Sequence, residues 1–281
     1  MHRAYAKINL GLIILDRRPD GYHSIETVFH RIDLSDEISF APAPDTFLIT
    51  DDQTLPTDDR NICLKAALLL RQELGIREGV SITLRKKIPA GAGLGGGSSD
   101  AGTVLRHLPM FWGRSVEPAT LGRLALLLGS DVPYFLRGGT AFAHGRGEVL
   151  EYFPLDVPYS ILVCYPNIHV STSWAYQSLP EHRVVPRIDL QGLLRAGMGE
   201  PVRLVNGLRN DFEPFVFSGF PEIMRVKEAM MRGGAEYASL SGSGSAVYGL
   251  FSNASFAREL SAYFLARGYQ AFITRPHFSP G

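Results

Sequence analysis

The chain has 281 residues, 45% of them hydrophobic, with 28 basic and 28 acidic side chains, the make-up of one large folded domain or two modest ones. Zero formal net charge argues against a nucleic-acid binder, which carries a basic excess for phosphate contacts. No run of about 18 apolar residues predicts a membrane-spanning helix, and the short apolar start, Ile8–Leu15, broken by Asn9 and preceded by Lys7, lacks the form of a secretion signal.

Alternation and β-branched residues predict strands over Ala4–Leu15, Ile25–Asp33, Glu37–Phe40 and Thr46–Thr50, with a turn at Arg17-Arg18-Pro19-Asp20-Gly21-Tyr22-His23. Asn61 is placed to cap a helix that runs to Leu74 and stops at Gly75. A strand over Val80–Ile88 leads into a Pro and Gly loop, Pro89–Gly97, and then into a helix from Ser98 or Ser99 to Leu108. Ala119–Leu128 reads as a helix, followed by Gly129-Ser130-Asp131-Val132-Pro133 and a short helical run. Strands are expected at Thr140–His144, Glu148–Phe153 and Tyr159–Tyr165, and helices at Thr172–Leu179, Leu190–Ala196, Asn210–Phe217 and Pro221–Met231. The tail reads strand Glu236–Leu240, loop Ser241–Ser245, strand Ala246–Phe251, helix Ala254–Ala266 and strand Gln270–Thr274. This order predicts an α+β fold with two lobes, residues 1–155 and 156–281, the least structured stretch being Pro180–Asp189. Cys63 and Cys164 lie in apolar runs, so both are expected as free buried thiols in a reducing, cytoplasmic setting.

Pro89-Ala90-Gly91-Ala92-Gly93-Leu94-Gly95-Gly96-Gly97-Ser98-Ser99 carries the strongest chemical signal. Five glycines in seven positions between a strand and a helix let consecutive backbone N–H groups turn toward a large anion, and the helix start adds its own donors. No GxxxxGK[ST] is present, which excludes a P-loop. Gly91, Gly93 and Gly96 fit GxGxxG by spacing, but Arg85-Lys86-Lys87 is too charged for the strand of a dinucleotide fold. No protein-kinase catalytic loop follows. What remains is a phosphate cradle of another class, with a Ser98 or Ser99 hydroxyl available for Mg²⁺ or a phosphate oxygen.

The pattern Pro-x-x-x-Gly-Leu-Gly-x-Gly-Ser-Ser resembles the nucleotide loop of the galactokinase, homoserine kinase, mevalonate kinase and phosphomevalonate kinase superfamily. Its N-terminal motif is matched by Ala4-Tyr5-Ala6-Lys7-Ile8-Asn9-Leu10, and its late glycine motif by Ser241-Gly242-Ser243-Gly244-Ser245-Ala246. Within that superfamily the Asp20-Gly21-Tyr22-His23 element, Leu128–Pro133 and Gly145-Arg146-Gly147-Glu148 are similar to the 4-diphosphocytidyl-2-C-methyl-D-erythritol kinases of non-mevalonate isoprenoid synthesis. The resemblance implies a two-lobed kinase with ATP and substrate in a cleft between the lobes. It also implies transfer of the ATP γ-phosphate to the 2-hydroxyl of a cytidine-diphosphate-linked methylerythritol.

By this resemblance Asp131 is the catalytic aspartate that takes the hydroxyl proton, although Asp after Gly-Ser is also a common helix cap. Lys7, a charge inside an apolar strand, would keep that aspartate ionised. Tyr22 stacks on cytosine, His23 reads its edge, and Tyr176 matches the second stacking aromatic or is a core tyrosine. Asn9, Thr172 and Gly242 are further substrate-side candidates, and Asn61 and Lys86 lie on the nucleotide side with the glycine loop. Thr172-Ser173 departs from the family, where Pro often follows the threonine. The histidines show no HxxxH or HExxH spacing and the cysteines no CxxC, so no protein-bound transition metal is expected. Mg²⁺ would arrive with ATP, held largely by phosphates. The expected partners are ATP and the cytidyl polyol, with no nucleic acid or membrane, in a monomer or weak homodimer. The alternatives are a sister kinase for homoserine or a mevalonate and a catalytically silent ligand sensor on the same fold. Asp20–His23 speaks against the first, and the presence of both Lys7 and Asp131 against the second.

Overall fold

The computed structural model describes residues 1–180 and 187–279; residues 181–186 of the stretch expected as a boundary, His182 among them, lie outside the described residues. The elements in chain order are β1 (His2–Arg17), β2 (His23–Ala43), β3 (Phe47–Thr50), α1 (Ile62–Glu73), β4 (Gly79–Arg85), α2 (Gly96–Phe111), α3 (Pro118–Leu128) and α4 (Val132–Phe135). They continue as β5 (Thr140–His144), β6 (Val149–Tyr152), β7 (Ser160–Tyr165), α5 (Thr172–Gln177), α6 (Leu190–Gly197), α7 (Pro201–Gly207), α8 (Glu213–Gly219), α9 (Pro221–Arg232), β8 (Tyr237–Leu240), β9 (Val247–Phe251), α10 (Ala254–Leu265) and β10 (Gln270–Thr274). The α+β class expected from the sequence is the one observed.

Two compact units form, and they interleave along the chain where the sequence suggests consecutive blocks, 1–155 and 156–281. The first holds Met1–Ala6, Ser35–Ala90 and Gly95–Gly138; the second holds Lys7–Leu34, Gly91–Leu94 and Gly139–Gly281. The long strands β1 and β2 are the reason, since each starts in one unit and ends in the other.

In the first unit the C-terminal part of β2, Glu37–Ala43, pairs antiparallel with β4, and β3 adds to β4 in parallel. Helices α1 to α4 pack together beside them. Helix α1 turns Cys63, Leu64, Ala66, Ala67 and Leu70 inward, the three-and-four spacing of a buried helical face. They join Val80, Ile82 and Leu84 of β4 and Val104, Leu105 and Leu108 of α2 in one apolar core.

In the second unit β10, β7, β9 and β8 form an antiparallel sheet, and α9 and α10 cover it. Its core gathers Leu162, Val247 and Phe251 with Ile223, Val226 and Met230 of α9 and Phe264 of α10. The N-terminal part of β2, Thr27–His30, pairs antiparallel with β5, and β5 with β6. Strand β1 is buried on both faces from Ala6 to Ile14, which is why a lysine and an asparagine inside it need partners within the protein.

Several boundaries differ from the sequence reading for visible reasons. Strand β2 runs unbroken through Leu34-Ser35-Asp36, because Asp36 is fully buried and finds donors there. Strand β4 stops at Arg85 and not at Ile88, since the next amides turn to carboxylates: Lys86 to Asp51, and Lys87 and Ile88 to Asp36. Helix α8 begins three residues late because Leu12 bridges to Asn210 and accepts the Asp211 amide. Helix α7, with Pro201 in its first turn, has no counterpart among the expected elements.

Candidate active site

The glycine loop is tied into its surroundings by its backbone. In the second unit the Leu94 carbonyl accepts the Lys7 amide at 3.0 Å and the Ala92 carbonyl accepts the Ala246 amide at 3.1 Å. The Gly93 carbonyl accepts both the Ser241 hydroxyl, at 3.0 Å, and the Lys7 ammonium, at 3.2 Å. Gly93 sits at φ +80°, and a Cβ there would lie 2.0 Å from the Ser241 carbonyl oxygen. No other residue fits that contact. Gly242, at φ +57°, packs on Gly93 and Asn9. The Lys7–Leu10 part of the N-terminal motif, the first part of the glycine loop and the late glycine motif therefore meet within one unit.

Lys7 is 4% exposed. Its ammonium donates to Asn9 Oδ1 at 2.7 Å and lies 5.0 Å from the centre of the Phe29 ring. Asn9 donates onward to Thr27 Oγ1 at 2.9 Å, and Thr27 to the Gly11 carbonyl at 2.5 Å. Asn9 thus orients Lys7, where the sequence suggests a substrate contact. Asn210, which sequence reasoning missed, donates to the Leu240 and Gly242 carbonyls at 2.9 and 2.8 Å and so fixes the late glycine loop. Its buried position beside Asp211 is a product of the fold, with no local signal.

In the first unit α2 begins at Gly96, two residues before the expected serines. Gly95 is its N-cap at φ +72°, with no side chain closing the helix end, so the first amides of α2 are left without partners inside the helix. The Ser99 hydroxyl, expected at a phosphate or Mg²⁺, is instead buried and donates to the Tyr5 carbonyl at 2.7 Å. Ser98, half-buried in the first turn, is the remaining candidate of the pair. Asn61 caps α1 by accepting the Cys63 amide at 2.9 Å, and its NH₂ group donates to the Pro56 carbonyl at 2.9 Å. Lys86 is paired with Asp36 and, at 2.9 Å, with Asp100. Both residues expected on the nucleotide side are thus committed to the protein itself.

Asp131 also belongs to the first unit and stands at the N-cap position of α4. Its backbone is helical and its side chain makes no capping hydrogen bond, so the helix-cap alternative fails. Lys7 and Asp131 fall in different units.

A cavity of about 880 Å³ opens in the second unit, lined in part by Arg17, Gly21, Tyr22, His23, Arg146 and Tyr176. The turn before it is closed by the Arg18 amide on the Tyr22 carbonyl, at 2.7 Å, and by the Tyr22 amide on Asp20, at 3.1 Å. Gly21, at φ +85°, lets the chain reverse so that two rings follow in succession. Tyr22 is 56% exposed and the Arg146 guanidinium lies 5.0 Å from its ring centre. His23 and Tyr176 stack with centroids 5.1 Å apart and planes at 15°. Tyr176 also meets Phe212 edge-on at 5.0 Å, so it borders both the core and the cavity. Thr172, outside the lining, shares a 3.0 Å hydrogen bond with Ser243. Arg17 and Arg146 were not expected here; two arginines close to the Tyr22 turn in sequence or motif were the available signal.

Among the described residues there is no group of three or more metal-ligating side chains and no helix long and apolar enough to cross a membrane. Cys63 and Cys164 are both free and buried.

Residues 61–139 match the model of the GHMP kinases N terminal domain, and residues 191–270 that of the GHMP kinases C terminal domain. The chain is 47% identical to the 4-diphosphocytidyl-2-C-methyl-D-erythritol kinase of Prosthecochloris aestuarii, over 99% of this chain and 97% of that one. It is 45% identical to the protein of the same name from Chlorobium limicola, with the same coverage. A crystal structure of a 4-(cytidine 5'-diphospho)-2C-methyl-D-erythritol kinase superimposes with a TM-score of 0.84 at 34% identity, covering 99% of both chains.

Proposed function

The chain belongs to the 4-diphosphocytidyl-2-C-methyl-D-erythritol kinase family, within the GHMP kinases, and we propose that Lys7 and Asp131 carry out its phosphoryl transfer. As a member of that family it is an ATP-dependent kinase of isoprenoid precursor synthesis. Its acceptor is the 2-hydroxyl of the cytidyl methylerythritol. The hydroxyl oxygen attacks the γ-phosphorus, the bond from that phosphorus to the β,γ-bridging oxygen breaks, and the hydroxyl proton passes to the Asp131 carboxylate. Lys7 supplies positive charge to the transferring group, the kind of electrostatic help on which phosphoryl transfer chiefly depends. Its setting supports this role: Asn9 Oδ1 and the Gly93 carbonyl both accept from the ammonium and fix its position beside the glycine loop.

The glycine loop takes the triphosphate on its backbone amides, from Gly91 to Ser98. Mg²⁺ would come with the nucleotide and neutralise phosphate charge when bound. The Ser98 hydroxyl is the side chain of the loop best suited to meet it, because Ser99 is spent on Tyr5. Asn61 and Lys86 support the nucleotide side by holding α1 and the loop. The free buried thiols fit a reducing compartment, and we place the enzyme in the cytoplasm.

One observation carries the choice of substrate. The Asp-Gly turn delivers Tyr22 and His23 into a cavity that also holds Tyr176, room and ring faces for a nucleobase that homoserine or mevalonate would leave unused. His23 offers ring nitrogens to the base edge, and Arg17 and Arg146 bring positive charge suited to a diphosphate. The test is product analysis with ATP and three acceptors offered separately. Phosphorylation of the cytidyl methylerythritol, with ADP formed in equal amount and negligible turnover of homoserine and mevalonate, is expected. Faster turnover of either of the others would overturn the substrate assignment, and no turnover of any would favour the ligand sensor.

A further inference from the structure

The amides that leave strand β4 early are drawn off by a single carboxylate. Asp36, in the middle of β2 and fully buried, accepts the Lys87 amide at 2.6 Å and the Ile88 amide at 2.8 Å on Oδ1, and the Lys86 ammonium on Oδ2. The same ammonium donates to Asp100 Oδ2 at 2.9 Å. Lys86, Lys87 and Ile88 are the run-in to the glycine loop, and Asp100 stands in the second turn of the helix that leaves it. The two ends are in contact: a Cβ on Gly96 would lie 2.9 Å from Ile88 Cγ2 and 3.3 Å from Lys86 Nζ.

We propose that Asp36 is a positioning residue for the nucleotide: through Lys86 it clamps the entry of the glycine loop to its exit and so aims the loop's backbone donors at the triphosphate. The proposal rests on the reading of this loop as the ATP site.

Stability alone does not explain such a cluster. A buried ion triad costs several kcal/mol per ion to desolvate, and well-packed apolar side chains of similar volume often do as well or better. What charges add here is direction, since each bond has a fixed donor and acceptor. The arrangement also carries an imbalance, two acids to one base. Burial pushes the Asp100 carboxyl well above the ordinary range, with Lys86 pulling against it and Asp36 adding to the push. Asp100 Oδ1 is buried without a hydrogen-bond partner among the described residues. A loop held in its binding conformation before the ligand arrives avoids the ordering cost on binding. Tyr22, His23 and Tyr176 are held by other contacts, in the other unit.

Asp36→Asn removes the charge and keeps the shape. Calorimetric titration with a non-hydrolysable ATP analogue and, separately, with CDP reads the two ligands on one sample. We expect the ATP analogue to bind at least about 10-fold more weakly, the cost of degrading charge-assisted hydrogen bonds. KM for ATP should rise in parallel, with CDP affinity and KM for the cytidyl substrate within about twofold of wild type. Unchanged ATP affinity overturns the clamp, and so does an equal loss for both ligands, which marks general damage. Should Asp36→Asn fail to fold, Asp100→Leu reads the exit end, because it leaves Asp36 and Lys86 matched one to one. A loss of at least about threefold for ATP alone is then expected, and wild-type affinity overturns the proposal. A wild-type protein that does not bind the ATP analogue refutes the loop's function itself, which separates that failure from failure of the clamp.

Discussion

Two glycines four residues apart in the loop should respond to the same substitution in opposite ways. At Gly93 an added Cβ meets the Ser241 carbonyl oxygen at 2.0 Å and the Gly244 amide nitrogen at 3.2 Å, and φ is +80°. An L residue in that region costs about 1–2 kcal/mol, and forcing backbone apart adds about 1–3 kcal/mol. Gly93→Ala should therefore lose about 2–5 kcal/mol, a large part of a typical folding free energy of about 5–15 kcal/mol. At Gly97 the same Cβ meets only Ile62 Cγ2, at 3.4 Å, an ordinary contact. Alanine is also the better helix former by up to about 1 kcal/mol. Gly97→Ala should melt at or slightly above the wild-type temperature. If phosphate oxygens come against the exposed Gly97 backbone, however, its methyl displaces one charge-assisted hydrogen bond worth about 1.5–3 kcal/mol, or about 10- to 150-fold in ATP affinity. Scanning calorimetry and titration with a non-hydrolysable ATP analogue measure the two quantities on one sample. Gly97→Ala with wild-type stability and wild-type ATP affinity would refute the placement of the triphosphate on this part of the loop.

Tyr22→Ala should raise KM for the cytidyl substrate by the equivalent of about 1–3 kcal/mol, the range for base–aromatic stacking in nucleic-acid complexes, with ATP affinity unchanged. A fall in ATP affinity without a change in the cytidyl KM would assign Tyr22 to the other nucleotide. His30 gives a pH signature. Burial, with Arg31 adding repulsion, lowers its pKa from 6.5 to about 4, and its Nδ1 lies 2.8 Å from Thr140 Oγ1. The folded-state value is depressed, so between pH 6.5 and 4 the unfolded chain binds more protons and stability falls as pH falls. From pH 7 to 5 this one group should cost about 2 kcal/mol. Urea unfolding at the two pH values should show that drop in wild type and lose it in His30→Gln; an equal drop in both would mean that His30 is not the titrating group.

What the sequence reveals of the site is what chemistry makes locally conspicuous. A glycine-dense loop between a strand and a helix, a lysine in an apolar strand and an aromatic pair after Asp-Gly stand out because each breaks the pattern around it. Those features led to the loop, to Lys7 and to the Tyr22–His23 turn. What stayed hidden depends on partners far away in sequence. Nothing near Asp36 says that it takes amides from Lys87 and Ile88, so the strand was expected to break there and β4 to run on. Ser99 has the form of a phosphate or Mg²⁺ contact until Tyr5 is seen to take its hydroxyl. Asn9 has the form of a substrate contact until Lys7 and Thr27 claim it. The interleaved units escape for a similar reason, since strands as long as β1 and β2 serve both, and composition does not record where a strand changes company.

The central claim is that Asp131 accepts the proton of the attacking hydroxyl. Asp131→Asn keeps the size of the side chain and removes its basicity, and thermal unfolding of the variant checks that it folds. Loss of proton-transfer assistance is typically worth about 10²–10⁴ in rate. The most direct measurement is single-turnover transfer of labelled γ-phosphate from ATP to the cytidyl methylerythritol, at saturating concentrations of both, in wild type and Asp131→Asn. A rate lower by at least about 100-fold, with both ligands still bound, is the predicted result; a rate within about fivefold of wild type would contradict the mechanism and leave Lys7 as the main catalytic group.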